Sequence, residues 1–250
     1  MATKAEFLGR IRAEMARTPG LFAVAAAPRP ARPGERLALL RRELAERWPA
    51  TLERFVRELE RVGGVFHRVA SAEEVAGVVA DLARAGAMER VVAWAPGALG
   101  LDLAGPLAAW GLSPVTMPEA DVAASERTRL REVAAAADLG ITGVDLAIAE
   151  TGTLVVVSGA GRPRSTSLLP PCHVAVLDRE TLVESLEQAG LVLEAWHDGE
   201  AGPAGGASIN FITGPSRTAD IELTLTRGVH GPKELHAVFV EQGLARARHG

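Results

Sequence analysis

VFHRVASAEEVAGVVADLARAGAMERVVAWA, residues 65–95, decides the fold class of this chain. VFHRVA is a short apolar run of strand type, and RVVAWA (90–95) is a second. Between them, SAEEVAGVVADLARAG (71–86) carries its apolar residues at helical spacing. The S-x-x-E start predicts a capping box, in which Ser71 takes the Glu74 amide and Glu74 reaches back. A strand, a helix and a strand in so short a span form the repeating unit of a parallel sheet.

The rhythm continues outward. PVTM (114–117), a helix over ERTRLREVAAAADLG (126–140), HVAVLD (173–178) and a helix over DRETLVESLEQAG (178–190) extend it, followed by strands at SINFITG (208–214) and KELHAVFVE (233–241). DLAIAE (145–150) and TLVVVS (153–158) are two apolar runs meeting at Thr151-Gly152, which predicts a tight antiparallel hairpin. The expected fold is therefore α/β, with a mixed, mostly parallel sheet and helices on both faces.

On the amino-terminal side, Phe7, Ile11 and Met15 share a helical face, and TPGLFAVAAAPRPARPGER (18–36) breaks the helix with four prolines. Helix resumes with Leu37, Leu40 and Leu44, Pro49 predicts a break or a new start, and Leu52, Phe55, Val56 and Leu59 run on to Gly63-Gly64. Residues 1–60 thus form a helical arm with a Pro-rich tether, packed on the body or reaching beyond it, and 61–250 form the α/β domain.

Composition excludes several classes. The formal charge of −4 argues against a general polyanion partner, and 4% aromatic residues with no tyrosine leave little for nucleic-acid bases to stack on. No 18-residue uncharged apolar run and no signal-peptide core are present, so a cytoplasmic protein without membrane insertion is expected. Cys172 is the sole cysteine: no disulfide can form within the chain, and no cysteine-ligated iron-sulfur cluster can be held by it alone.

The densest set of candidate ligand groups is FITGPSRTADIELTLTRGVHGPKE (211–234). A strand ending at Thr213, a turn at Gly214-Pro215, and Ser216, Arg217 and Thr218 leading into a possible short helix would aim amides, hydroxyls and a guanidinium at one carboxylate or phosphate. An ordinary loop with Ser216 or Thr218 as N-cap fits the same residues. Asp220 and Gly231 complete the candidate set, with His230 and Lys233 at its rim; a Gly-Pro turn with an exposed histidine is the plainer alternative. Glu150, with Thr151, Gly152 and Thr153 at the hairpin tip, is a candidate general base or a solvent-facing turn residue. SGAGRPRSTSLLPP (158–171) adds Arg162 and Arg164 as partners for an acidic ligand, and lacks the third glycine of a dinucleotide fingerprint. No metal is assigned, because adjacent Cys172 and His173 point to opposite faces of a strand and His230 and His236 have no carboxylate at ligand spacing.

Three blocks carry a family resemblance: GITGVDLAIAETGTLVVVSG (140–159), RPRSTSLLPPCHVAVLDRETLV (162–183) and INFITGPSRTADIELTLTRGVHGPKELHAVFVE (209–241). Together they resemble the lactate utilization protein C family, the LUD-domain proteins, over roughly residues 60–242. The resemblance implies a fold like that of the NagB/RpiA/CoA-transferase group. It also implies a part in oxidising L-lactate to pyruvate beside partner proteins that carry the iron-sulfur clusters, with none bound by this chain. A stand-alone enzyme of that fold acting on a phosphosugar or acyl-CoA through Glu150, and a non-catalytic scaffold binding partners through its arm, are the other two readings.

Overall fold

The computed structural model describes residues 3–17, 32–199, 208–219 and 225–245. Most of the expected tether, and Asp220, lie outside the described residues. Residues 1–31 and 32–250 form separate compact units. The first contains α1 (Lys4–Arg17), whose Phe7, Ile11 and Met15 are exposed along one face.

The second unit opens with α2 (Pro33–Arg61), β1 (Val65–Val69), α3 (Val75–Ala85) and β2 (Val91–Ala93). Then come α4 (Pro96–Leu99), α5 (Ala104–Ala108), β3 (Val115–Thr116), α6 (Ala124–Ala136) and β4 (Leu139–Gly143). β5 (Leu146–Ile148), β6 (Thr153–Ser158), α7 (Ser165–Leu168), β7 (Cys172–Leu177), β8 (Leu182–Val183) and α8 (Leu186–His197) follow. The chain closes with β9 (Ser208–Ile212), β10 (Arg217–Ala219), β11 (Leu225–Arg227) and β12 (Glu234–Val240).

Six strands, in the order β1-β12-β7-β4-β2-β3, form one sheet in which every neighbouring pair is parallel. The expected antiparallel hairpin exists, but β5 and β6 belong to a second, four-stranded sheet ordered β8-β5-β6-β9. One face of the main sheet packs Val69, Ile141, Val174 and Val238 against Val75 and Val79 of α3 and Leu99 of α4. The other buries Ala175, Leu177, Leu235 and Phe239 against Leu52, Phe55 and Leu59 of α2 and Leu154 of the second sheet. Burial on both faces is why β2 and β7, VVA and CHVAVL, are dominated by apolar residues. Among the described residues, no helix is long and apolar enough to cross a membrane.

Four local expectations need correction. Pro49 does not break α2; Leu37, Leu40 and Leu44 bury on one side of it and Leu52, Phe55 and Leu59 on the other. That burial outweighs the roughly 3 kcal/mol a proline costs inside a helix. The 71–74 capping box is not made: Ser71 turns to Glu73, and Glu74 accepts the amide of Ala70. The helix expected from 178 begins at Leu186, where the hydroxyl of Ser185 accepts the Gln188 amide at 3.2 Å, and Leu182-Val183 pair with β5 instead. Finally, Leu139 and Gly140 are not the end of a helix but the start of β4, a central strand.

β4 escapes a pattern reading because LGITG has two glycines, which are poor strand formers. Packing demands the first of them, since a Cβ on Gly140 would overlap the carbonyl oxygen of Thr166 in α7. The strand is anchored at its start by Asp138, whose carboxylate accepts the amides of Glu89 at 3.2 Å and Arg90 at 2.9 Å and pairs with the Arg90 guanidinium at 2.6 Å. The Arg90 side chain foremost holds the Asp138 carboxyl down, at about 2. A folded-state value below the unfolded 3.8 means stabilisation that is present above 3.8 and lost as pH falls through about 2. Asp138→Asn is therefore expected to lower stability by about 1–2 kcal/mol at neutral pH, with the gap to wild type closing on acidification. Urea midpoints across that pH range measure it, and equal midpoints at neutral pH would refute it.

Candidate functional site

The loops before β10 and before β12 are tied together by Ser216. Its amide donates to the carbonyl of Pro232 at 2.8 Å, its carbonyl accepts from Gly228 at 3.1 Å, and its hydroxyl accepts the His230 amide at 3.2 Å. Gly228 has a φ of 85°, open only to glycine at low cost, and the Lys233 side chain lies over it. Gly231 packs on the Ser216 Cβ, and Lys233 and Glu234 both donate backbone N–H to the carbonyl of Pro171, at 2.7 and 3.1 Å. Ser216 is thus the knot of the two loops rather than a free donor. No helix follows it, because Arg217–Ala219 pair antiparallel with Leu225–Arg227. The expected helical amides are therefore absent here, and Thr218 lies in a strand.

The carboxyl end of α2 forms the floor. Gly214, at φ 78°, sits against the carbonyl of Val62, and the Arg217 guanidinium lies over Gly63. The hairpin tip meets the same helix end, since a Cβ on Gly152 would strike the backbone of Leu59. Hydroxyls link Thr151 to Thr153 at 2.7 Å and Thr153 to Thr213 at 2.8 Å. Thr151–Thr153 and the 213–217 turn therefore share one neighbourhood. Among the described residues, Arg217, His230 and Lys233 are the exposed nitrogen-bearing side chains on these loops, beside exposed Thr213 and Val229.

Glu150 and Arg164 sit elsewhere. The Glu150 carboxylate accepts the Leu186 amide at 2.9 Å at the start of α8, where a negative charge favours the helix. Arg164 is exposed on the 159–165 loop, which packs by Gly161 on Ala95 at the carboxyl end of β2. Beside this loop is a cleft of about 110 Å³ lined by Arg127 and Arg131 of α6, Met117, Gly159–Gly161 and Ser165. Arg162 is not at the surface; it pairs with Asp145 at 3.3 Å, and Asp145 also accepts the Val157 amide at 2.6 Å.

Under the 228–233 loop, strand register assembles a cluster that spacing alone hides. Glu234 is paired with Cys172, His236 with Val174 and Val65, and His67 with Val238. Paired residues in a parallel sheet share a face, so Cys172, Glu234, His236 and His67 all point to the α3 side. His67 Nε2 lies 3.1 Å from His236 Nδ1, and His236 Nε2 lies 3.5 Å from the Glu234 carboxylate. Burial pushes the Cys172 thiol up to about 12 and holds both imidazoles below their usual range. On the opposite face, His173 is fully buried, with Nε2 2.8 Å from the Thr142 hydroxyl and its pKa pushed down to about 3 by burial. The legible signal was Glu234 and His236 two apart on a strand; the register that adds Cys172 and His67 was not legible.

Comparison with known proteins adds a family. Residues 52–240 match the LUD domain family. The chain is 46% identical over 119 residues to the lactate utilization protein C of Halalkalibacterium halodurans, covering 47% of this chain and 50% of that protein. It is 38% identical over 124 residues to the lactate utilization protein C of Bacillus licheniformis, covering 49% and 50%. The matches thus span about half the length of these curated relatives. A crystal structure of a DUF162 family protein from Deinococcus radiodurans superposes with a TM-score of 0.52 at 22% identity, covering 77% of this chain and 98% of that one, a likeness of fold.

Proposed function

The chain belongs to the LUD domain family, and from that membership we propose that it serves lactate utilization as the cluster-free subunit of a cytoplasmic iron-sulfur assembly oxidising L-lactate to pyruvate. The observation that carries the reading is the likeness to lactate utilization proteins C. The chemistry supports a shared task. Oxidising lactate removes two electrons and two protons, and a chain with one buried cysteine cannot hold a cysteine-ligated cluster to receive the electrons. Partner proteins supply the clusters, and this chain holds a small anion. Arg217, His230 and Lys233, exposed on loops joined through Ser216, are suited to a carboxylate.

Two measurements test this. Tagged protein purified from its native cells is expected to bring iron-sulfur partners and L-lactate-dependent dye reduction that the isolated chain lacks; an active eluate without such partners sinks the subunit role. In calorimetry with L-lactate or pyruvate, Arg217→Ala is expected to weaken binding by about 1.5–3 kcal/mol, roughly ten- to hundredfold. Unchanged affinity in that variant, with a loss in Arg131→Ala, would move the anion to the α6 cleft.

A further inference from the structure

We propose that Cys172, Glu234 and His236 bind a divalent transition-metal ion of the zinc class, with His67 orienting His236. Their ligand atoms, one sulfur, one carboxylate oxygen and one imidazole nitrogen, lie within 4.8 Å of one another. Tetrahedral zinc at its usual bond lengths needs ligand atoms roughly 3.5 Å apart. Cys172 and His236 are fixed by burial at 1% and 6% exposure, whereas Glu234 is exposed and closes the set by a change of rotamer.

A second observation points to the same place. His236 Nε2 is buried and has no hydrogen-bond partner. Its other nitrogen faces His67 Nε2 at 3.1 Å. If His236 donates its Nδ1–H to His67, the lone pair falls on Nε2, on the side of Glu234 and Cys172. This is how a second histidine sets the tautomer of a metal ligand. The mixed sulfur, nitrogen and oxygen set suits zinc or cobalt rather than magnesium or calcium, and three protein ligands leave one position for water. Metal binding displaces the thiol proton of Cys172, so that an otherwise inert buried thiol becomes a ligand.

Metal binding here requires neither lactate nor a partner protein, and it is tested without either. The full chain, stripped with a chelator, is titrated with Co²⁺ and followed by absorbance. One equivalent is expected to raise a thiolate-to-cobalt charge-transfer band in the near ultraviolet and tetrahedral bands in the visible, both bleached by Zn²⁺. Cys172→Ser should lose the charge-transfer band, and Glu234→Gln, an exposed change that spares the fold, should weaken Co²⁺ at least tenfold. Without a metal, His67 and His236 form only a hydrogen-bonded pair, with the Glu234 carboxylate 3.5 Å from His236 Nε2. No charge-transfer band in folded wild type, a band persisting in Cys172→Ser, or equal affinity in Glu234→Gln would each overturn the site.

Discussion

Gly140→Ala is expected to lower the unfolding free energy by about 3 kcal/mol or more, at the upper end of what overpacking costs. The glycine lies in β4, hydrogen-bonded to β2 on one side and β7 on the other, so the strand has no free edge along which to retreat. The added methyl would enter the carbonyl of Thr166 and come within 3.0 Å of the Pro170 ring. Backbone, unlike the end of a long side chain, cannot step aside cheaply. α7 would have to lift, and with it the 159–164 loop whose Pro163 carbonyl accepts the Trp94 indole N–H at 3.2 Å. Urea unfolding gives the measurement, with Gly77→Ala as control. Gly77 lies in α3 with open space around it, so alanine there is neutral or stabilising. If the two variants unfold alike, the close approach of α7 to β4 is wrong.

Phe239→Ala is the second large effect, about 3–5 kcal/mol from lost burial and the cavity left behind. Phe239 is fully buried on β12, stacked on Trp48 at 5.8 Å and 19° and tilted against Phe66 at 6.5 Å. Trp48 belongs to α2, so this ring joins the helix to the main sheet. The carboxyl end of the same helix supports Gly214, Arg217 and the Gly152 turn. Amide exchange should therefore quicken in the 150–153 and 213–217 turns as well as in α2. A loss below about 1.5 kcal/mol, with exchange in those turns unchanged, would mean that α2 is held mainly by its contacts with the second sheet.

Much of this architecture is local physics and so is written in the chain. β1, α3 and β2 follow from apolar period and length, and β6 and β12 from short runs rich in valine and other apolar residues. The Thr151-Gly152 turn follows from a glycine at φ 62° that few other residues tolerate. The clustering of Ser216, His230 and Lys233 in one neighbourhood was legible too, because glycines and prolines place both loops beside β12. The S-x-x-Q start of α8 is equally local, although the apolar period of 178–190 extends past it.

Tertiary structure decided the rest. Pro49 stays inside α2 and Gly140 inside a central strand because burial and close backbone approach outweigh intrinsic propensity at both. Arg217 begins a strand rather than a helix because a partner is available at Leu225–Arg227. Glu150 serves the start of α8 because folding brings residues 150 and 186 together. The set of His67, Cys172, Glu234 and His236 is the clearest case. Alternation along a strand says which residues share its face, but only the order of β1, β12 and β7 and their register say which faces adjoin. That register is set by the packing of both sheet faces at once, a sum over the whole core that no local stretch of sequence contains.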